Sequence, residues 1–99
     1  MNPYIEITRP NVCALTVLGI IIGALVVGIL GFYAELVYAV LAGLLLCAGG
    51  NVINDFFDAE IDRVNRPERP IPSGHITPNS ALYYYLVLSV IGLALALLV

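Results

Sequence analysis

The stretch NVINDFFDAEIDRVNRPERPIPSG, residues 51–74, interrupts a chain that is otherwise almost uniformly apolar. It carries Asp55, Asp58 and Asp62 together with three of the chain's four arginines, Arg63, Arg66 and Arg69. Carboxylates and side-chain amides with no His or Cys among them are hard oxygen donors, which suit Mg²⁺ or Mn²⁺ better than zinc. Mg²⁺ usually takes one or two carboxylates and completes its shell with water and phosphate, and guanidinium forks match phosphate oxygens. The residue types therefore point to metal-assisted chemistry on a phosphorylated substrate.

Such a site needs an element that aims its side chains together. Asn51, Asn54, Asp55, Asp58 and Asp62 are spaced so that, at about 100° per residue, all five project from one face of a helix. That helix is expected to run on to about Asn65, where Pro67 ends it. With a rise of about 1.5 Å per residue the stripe is roughly 16 Å long. Like charges at this spacing repel, and carboxylates near a bilayer core are costly unless paired, protonated or bound to a cation. A solvated flank would explain any one of these residues, but not the shared face with Asn51 and Asn54 at membrane depth. Glu60 falls on the far face and is left out of the site.

Composition supplies the setting. Of 99 residues, 61% are apolar and 11% charged, against roughly 25% charged in an ordinary soluble domain. Apolar runs over residues 12–30, 36–57 and 78–99 each approach the ~20 residues of a spanning helix, without the alternation of a barrel strand. The chain is expected to be a multi-pass cell-membrane protein of all-α class, with three spans forming a helical bundle. All four arginines flank one side of these spans, Arg9 before the first and the others after the second, while the turn at residues 31–35 has none. The basic residues place the N-terminus and the loop at residues 63–77 in the cytoplasm. The net charge of −3 gives no sign of a nucleic-acid partner. No cleaved signal peptide is visible.

The loop RPERPIPSGHITP holds four prolines and is expected to cap the acidic mouth. Thr77 and Pro78 make an N-cap and first helical position. Arg9 and Asn11 flank the first span on the same side and join the candidate site, although a snorkelling anchor also explains Arg9. His75 reads as a loop residue, and Tyr83, Tyr84 and Tyr85 as an interfacial belt. Cys13 and Cys47 lack metal spacing and read as small apolar packers. The last apolar run ends on Val99 without a cap or basic flank, as a fragment would.

The run Asn54, Asp55, Asp58, Asp62 resembles the NDxxDxxxD signature of the UbiA superfamily of intramembrane prenyltransferases. The resemblance implies a bundle of about nine transmembrane helices around a cavity open to lipid, of which this chain would be the first third. It implies that Asn54, Asp55, Asp58 and Asp62 hold the diphosphate of a polyprenyl donor through Mg²⁺. A second acidic motif, expected on helices beyond Val99 or from another chain, is absent here. Arg9, Asn11, Asn51, Asn54, Arg63, Arg66 and Arg69 are the candidate substrate-binding residues, with Asp55, Asp58 and Asp62 catalytic. The segment IDRVNRPERPIPSG is similar to the branch acting on archaeal ether lipids and on chlorins. It implies transfer of a geranylgeranyl group to the hydroxyl of geranylgeranylglyceryl phosphate, a lipid phosphate acceptor. The alternatives are an aromatic or chlorin acceptor, and a non-catalytic membrane subunit or truncated paralogue. A divalent-cation channel would also place acids at membrane depth, but the arginines and prolines suit phosphate better. The CDP-alcohol phosphotransferases are excluded by the missing DGxxAR pattern.

Overall fold

The computed structural model describes residues 2–28 and 33–99. A single helical turn, α1 (Pro3–Glu6), leads into α2 (Pro10–Val27). The long α3 (Tyr33–Phe57) is followed by the short α4 (Ala59–Asn65), an irregular segment, and α5 (Pro78–Ala96). The expected all-helical class is what the described residues show. α3 lies between α2 and α5 and packs against both, more extensively against α5.

Local chemistry sets these boundaries. The Asn2 side chain accepts from the Tyr4 N–H, so the first turn is capped. α2 begins at Pro10, two residues before the expected start, because proline suits the first helical position. It closes on Gly28, whose φ of +75° is left-handed and whose N–H bonds the carbonyls of Ala24 and Leu25. The expected end of this run at residue 30, and part of the turn at residues 31–35, lie outside the described residues. Thr77 caps α5 as expected, accepting from the Ser80 N–H at 3.2 Å.

The helix carrying the acidic stripe does reach Asn65, but with a break. Asp58 has φ −89° and ψ 4°, which separates α3 from α4. Bonds from the Asp58 N–H to Asn54 and from the Asp62 N–H to Asp58 bridge the break. Arg66, extended at φ −142° ahead of Pro67, ends α4.

Two of the helices, α3 and α5, are long and apolar enough to cross a membrane. α2 is apolar but shorter: its 18 residues rise roughly 27 Å, just under the ~30 Å of a hydrocarbon core. Small residues let α5 approach α3 closely. A Cβ on Gly92 would lie 2.9 Å from Leu46 Cγ, and one on Gly49 would lie 3.0 Å from Ser89 Oγ. Many large apolar side chains on the outer faces stay exposed, Leu15, Val26, Val90 and Leu93 among them. The most buried large side chains are Ile7, Val52 and Ile76. They bring the N-terminal strap (residues 2–9), the end of α3 and the loop before α5 into one cluster with Ile71, Ala81 and Leu88. The best-packed part of the molecule is thus the scaffold beneath the acidic stripe.

Candidate functional site at the acidic end of the third helix

Burial divides the predicted stripe into two sets. Asn51, Asp55 and Asp62 are buried, whereas Asn54 and Asp58 are exposed on the open side. Asp55 retains only 3% of its surface. A carboxylate so placed needs compensating charge, and two arginines supply it. Arg9 Nη2 donates to Asp55 Oδ1. Arg69 Nη1 lies 3.1 Å from that same oxygen and 3.4 Å from Asp62 Oδ2. Sequence-distant elements therefore converge here: Arg9 from the strap, Asp55 from α3, Asp62 from α4 and Arg69 from the proline-rich segment.

That segment is ordered by its own bonds. Ser73 and Gly74 donate backbone N–H groups to Arg69 and Ile71, and Ile76 donates to Pro70. Pro70 and Ile71 are buried, so Arg69 is held over the acidic stripe by a packed loop. The Ser73 hydroxyl donates to the Pro70 carbonyl and lies 2.6 Å from His75 Nδ1, a pairing internal to the loop.

Between strap and loop opens a cleft of about 320 Å³ lined by Glu6, Arg9, Asp55, Glu68, Arg69 and Pro70. Two of the predicted arginines line it, and Arg63 and Arg66 are exposed beside it without an ion pair among the described residues. Asn11 is exposed on the first turn of α2. Asn51 is not a lining residue: its amide donates to the Thr8 carbonyl at 2.8 Å. Sequence reasoning passed over Glu6, Glu68 and Thr8. Their only sequence signal is proximity to Arg9 and Arg69, and which way each side chain turns depends on tertiary packing.

Whether the residues fit a hard divalent cation can be judged from the donor set. Asp55 Oδ1 and Asp62 Oδ2 both approach one cationic nitrogen, so two carboxylate oxygens of separate helices already face a common positive centre. No cluster of three or more metal-ligating acids, His or Cys exists among the described residues. That set fits an ion held by one or two carboxylates with phosphate and water completing its shell, as Mg²⁺ is.

Residues 12–99 match the model of the UbiA prenyltransferase family. The chain belongs to that family. Among its relatives, the digeranylgeranylglyceryl phosphate synthase of Thermococcus gammatolerans is 50% identical over 102 residues, which cover 100% of this chain and 36% of that protein. The synthase of the same name from Methanopyrus kandleri is 45% identical over 96 residues, covering 97% of this chain and 35% of that protein. A solved structure, described as giving structural and mechanistic insights into the biosynthesis of digeranylgeranylglyceryl phosphate synthase in membranes, superposes with a TM-score of 0.88 at 40% identity. It covers 97% of this chain and 35% of its own. The chain thus spans about a third of the length of the curated relatives it matches. UbiA membership sets the helices in a membrane protein. The match begins at Val12, so the strap bearing Thr8 and Arg9 precedes it.

Proposed function

We propose that this UbiA chain serves Mg²⁺-dependent transfer of a geranylgeranyl group from its diphosphate to geranylgeranylglyceryl phosphate, forming an ether bond of archaeal-type lipid. The observation that carries this reading is the meeting of Arg9 and Arg69 with Asp55 and Asp62 in a cleft at the end of an apolar helical scaffold. The relatives' names favour the glyceryl phosphate acceptor over an aromatic one.

In this reading Asp55, Asp58 and Asp62, with Asn54, are the candidate donors, of which one or two carboxylates would hold a Mg²⁺ ion while phosphate and water fill the rest of its shell. When bound, the ion supplies charge neutralisation for the leaving diphosphate. The chain's own residues do the rest. Arg9 and Arg69 present guanidinium donors to phosphate oxygens, and Arg63 and Arg66 add positive charge on the same side. The C1–O bond of the allylic donor breaks with its electron pair leaving on the diphosphate, whose growing charge the guanidiniums stabilise. The acceptor hydroxyl oxygen then bonds C1 and gives its proton to the released diphosphate. Apolar helix faces hold the isoprenoid tail and keep bulk water from taking the hydroxyl's place.

The test gives the native gene product geranylgeranyl diphosphate with geranylgeranylglyceryl phosphate, 4-hydroxybenzoate or chlorophyllide in parallel. The glyceryl phosphate is expected to be consumed preferentially. Preference for either aromatic acceptor would overturn the lipid assignment, and undiminished turnover after chelation of Mg²⁺ would overturn the metal assignment.

A further inference from the structure

Arg9 owes its place to a set of contacts that the site chemistry alone does not require. It sits just before Pro10, where extended backbone is the usual outcome, yet its φ is +52° and its ψ 73°. Among the described residues it is the sole non-glycine with positive φ. A left-handed non-glycine residue persists only where its surroundings over-determine it. Here they do. Ile7, two residues earlier, is fully buried in the core cluster. The Thr8 carbonyl, at the peptide entering Arg9, receives the Asn51 amide at 2.8 Å and the Cys13 thiol at 3.2 Å. Asn51 is itself buried, with 9% of its surface exposed. It lies one turn before Asp55 on α3, so one helix face grips the strap twice: Asn51 holds the backbone before Arg9 and Asp55 holds its guanidinium. Farther back, Tyr84 donates to the Tyr4 carbonyl and the two rings meet edge to face at 5.3 Å.

We propose that Asn51 is a positioning residue: by holding the Thr8 carbonyl it fixes the left-handed turn that delivers the Arg9 guanidinium to the diphosphate-binding cleft. The inference rests on the prenyl-diphosphate reading of that cleft. Asn51 touches neither substrate nor cleft, and it acts through Arg9. Without its amide the strap stays attached through Ile7 and Tyr4, and only the weak Cys13 thiol bond is left on the Thr8 carbonyl to oppose relaxation of the turn at Arg9 toward the extended backbone that Pro10 favours.

Titration of magnesium pyrophosphate into the native gene product in detergent reads the anion site without any acceptor. Asn51→Leu keeps the branched outline and removes the donor, and Asn51→Ala, which adds no bulk, is the second variant. Each is expected to weaken pyrophosphate about tenfold, as is Arg9→Ala, the size of a lost charge-assisted hydrogen bond. The double variant Asn51→Leu, Arg9→Ala should bind no more weakly than Arg9→Ala alone, since Asn51 works only through that arginine. With geranylgeranyl diphosphate as substrate, the Asn51 variants should raise the donor KM and lower kcat in the same proportions as Arg9→Ala does, since Arg9 meets both the bound diphosphate and its growing charge. A double variant that loses affinity multiplicatively overturns the proposal. So do folded Asn51 variants with unaltered pyrophosphate affinity, and so does failure of both to fold, which would assign the residue to stability. Absence of pyrophosphate binding in the unsubstituted protein overturns both readings. Pyrophosphate results as expected, with no prenyl transfer to any acceptor, would overturn the reaction while the positioning role stands.

Discussion

Asp55 and Asp58 lie less than one helical turn apart and meet opposite surroundings. Asp55 is buried between Arg9 and Arg69, whereas Asp58 is exposed and has no ion pair among the described residues. Removing the charge at Asp55 leaves two guanidiniums facing a neutral amide in a half-dry pocket, and breaking a buried pair of this kind costs about 3–5 kcal/mol, less where one partner reaches water. Asp58→Asn disturbs no such pairing, and surface changes of that sort stay within roughly 0.5 kcal/mol. Thermal unfolding in detergent should therefore fall clearly for Asp55→Asn and hardly at all for Asp58→Asn. Prenyl transfer should fall by orders of magnitude in both. An Asp58→Asn variant with near-normal turnover would remove Asp58 from the proposed metal site. The two substitutions together separate loss of chemistry from loss of fold.

The glycines of the helix interfaces make a second contrast. Gly92 of α5 faces Leu46 of α3 so closely that a Cβ would stand 3.3 Å from the Leu46 backbone nitrogen as well as 2.9 Å from its Cγ. Gly92→Val must push the helices apart, at a cost of about 1–3 kcal/mol for overpacking. Gly50, on the same long helix as Leu46, would place a Cβ in open space. Gly50→Ala is expected to be neutral or to stabilise by up to about 1 kcal/mol, the helix-propensity gain. Thermal unfolding of the two variants should move in opposite directions, and equal losses would mean that α3 and α5 do not pack this way. None of this contrast is visible in the sequence, where the two glycines look alike within apolar runs. What was legible there is what local chemistry decides. The Thr77 cap, the stop before Pro67 and the extension of the acidic helix to Asn65 follow from residue types in a row. The break at Asp58 and the left-handed Arg9 do not, since both depend on what the strap and the loop press against. For the same reason the sequence placed Asn51 in the site by its shared face, while its amide turns to the strap.

At the scale of the whole molecule, the arginines and every acidic residue except Glu35 are gathered at one end of a body 48 Å long and about 20 Å thick. That length exceeds the ~30 Å of hydrocarbon a membrane offers, so one end can stand in the interface while the apolar flanks of α2, α3 and α5 lie deeper. The strap, α4 and the proline-rich loop share the core cluster built on Ile7, Val52, Ile71 and Ile76, which fixes the three segments that bear the four arginines to a single end. Basic residues are retained on the cytoplasmic side of a bilayer. The arginine end is therefore expected to face the cytoplasm, with the start of α3 on the outer side. Single cysteines test this in a background carrying Cys13→Ala and Cys47→Ala. Tyr33→Cys marks the far end, where the native side chain is 72% exposed, and His75→Cys marks the exposed loop. A membrane-impermeant maleimide added to intact cells should label Tyr33→Cys and spare His75→Cys, and inverted vesicles should reverse the pattern. Labelling of His75→Cys from outside intact cells would invert the orientation and move the donor's diphosphate site away from cytoplasmic Mg²⁺ and substrate, so this experiment bears on the proposed reaction as well as on topology.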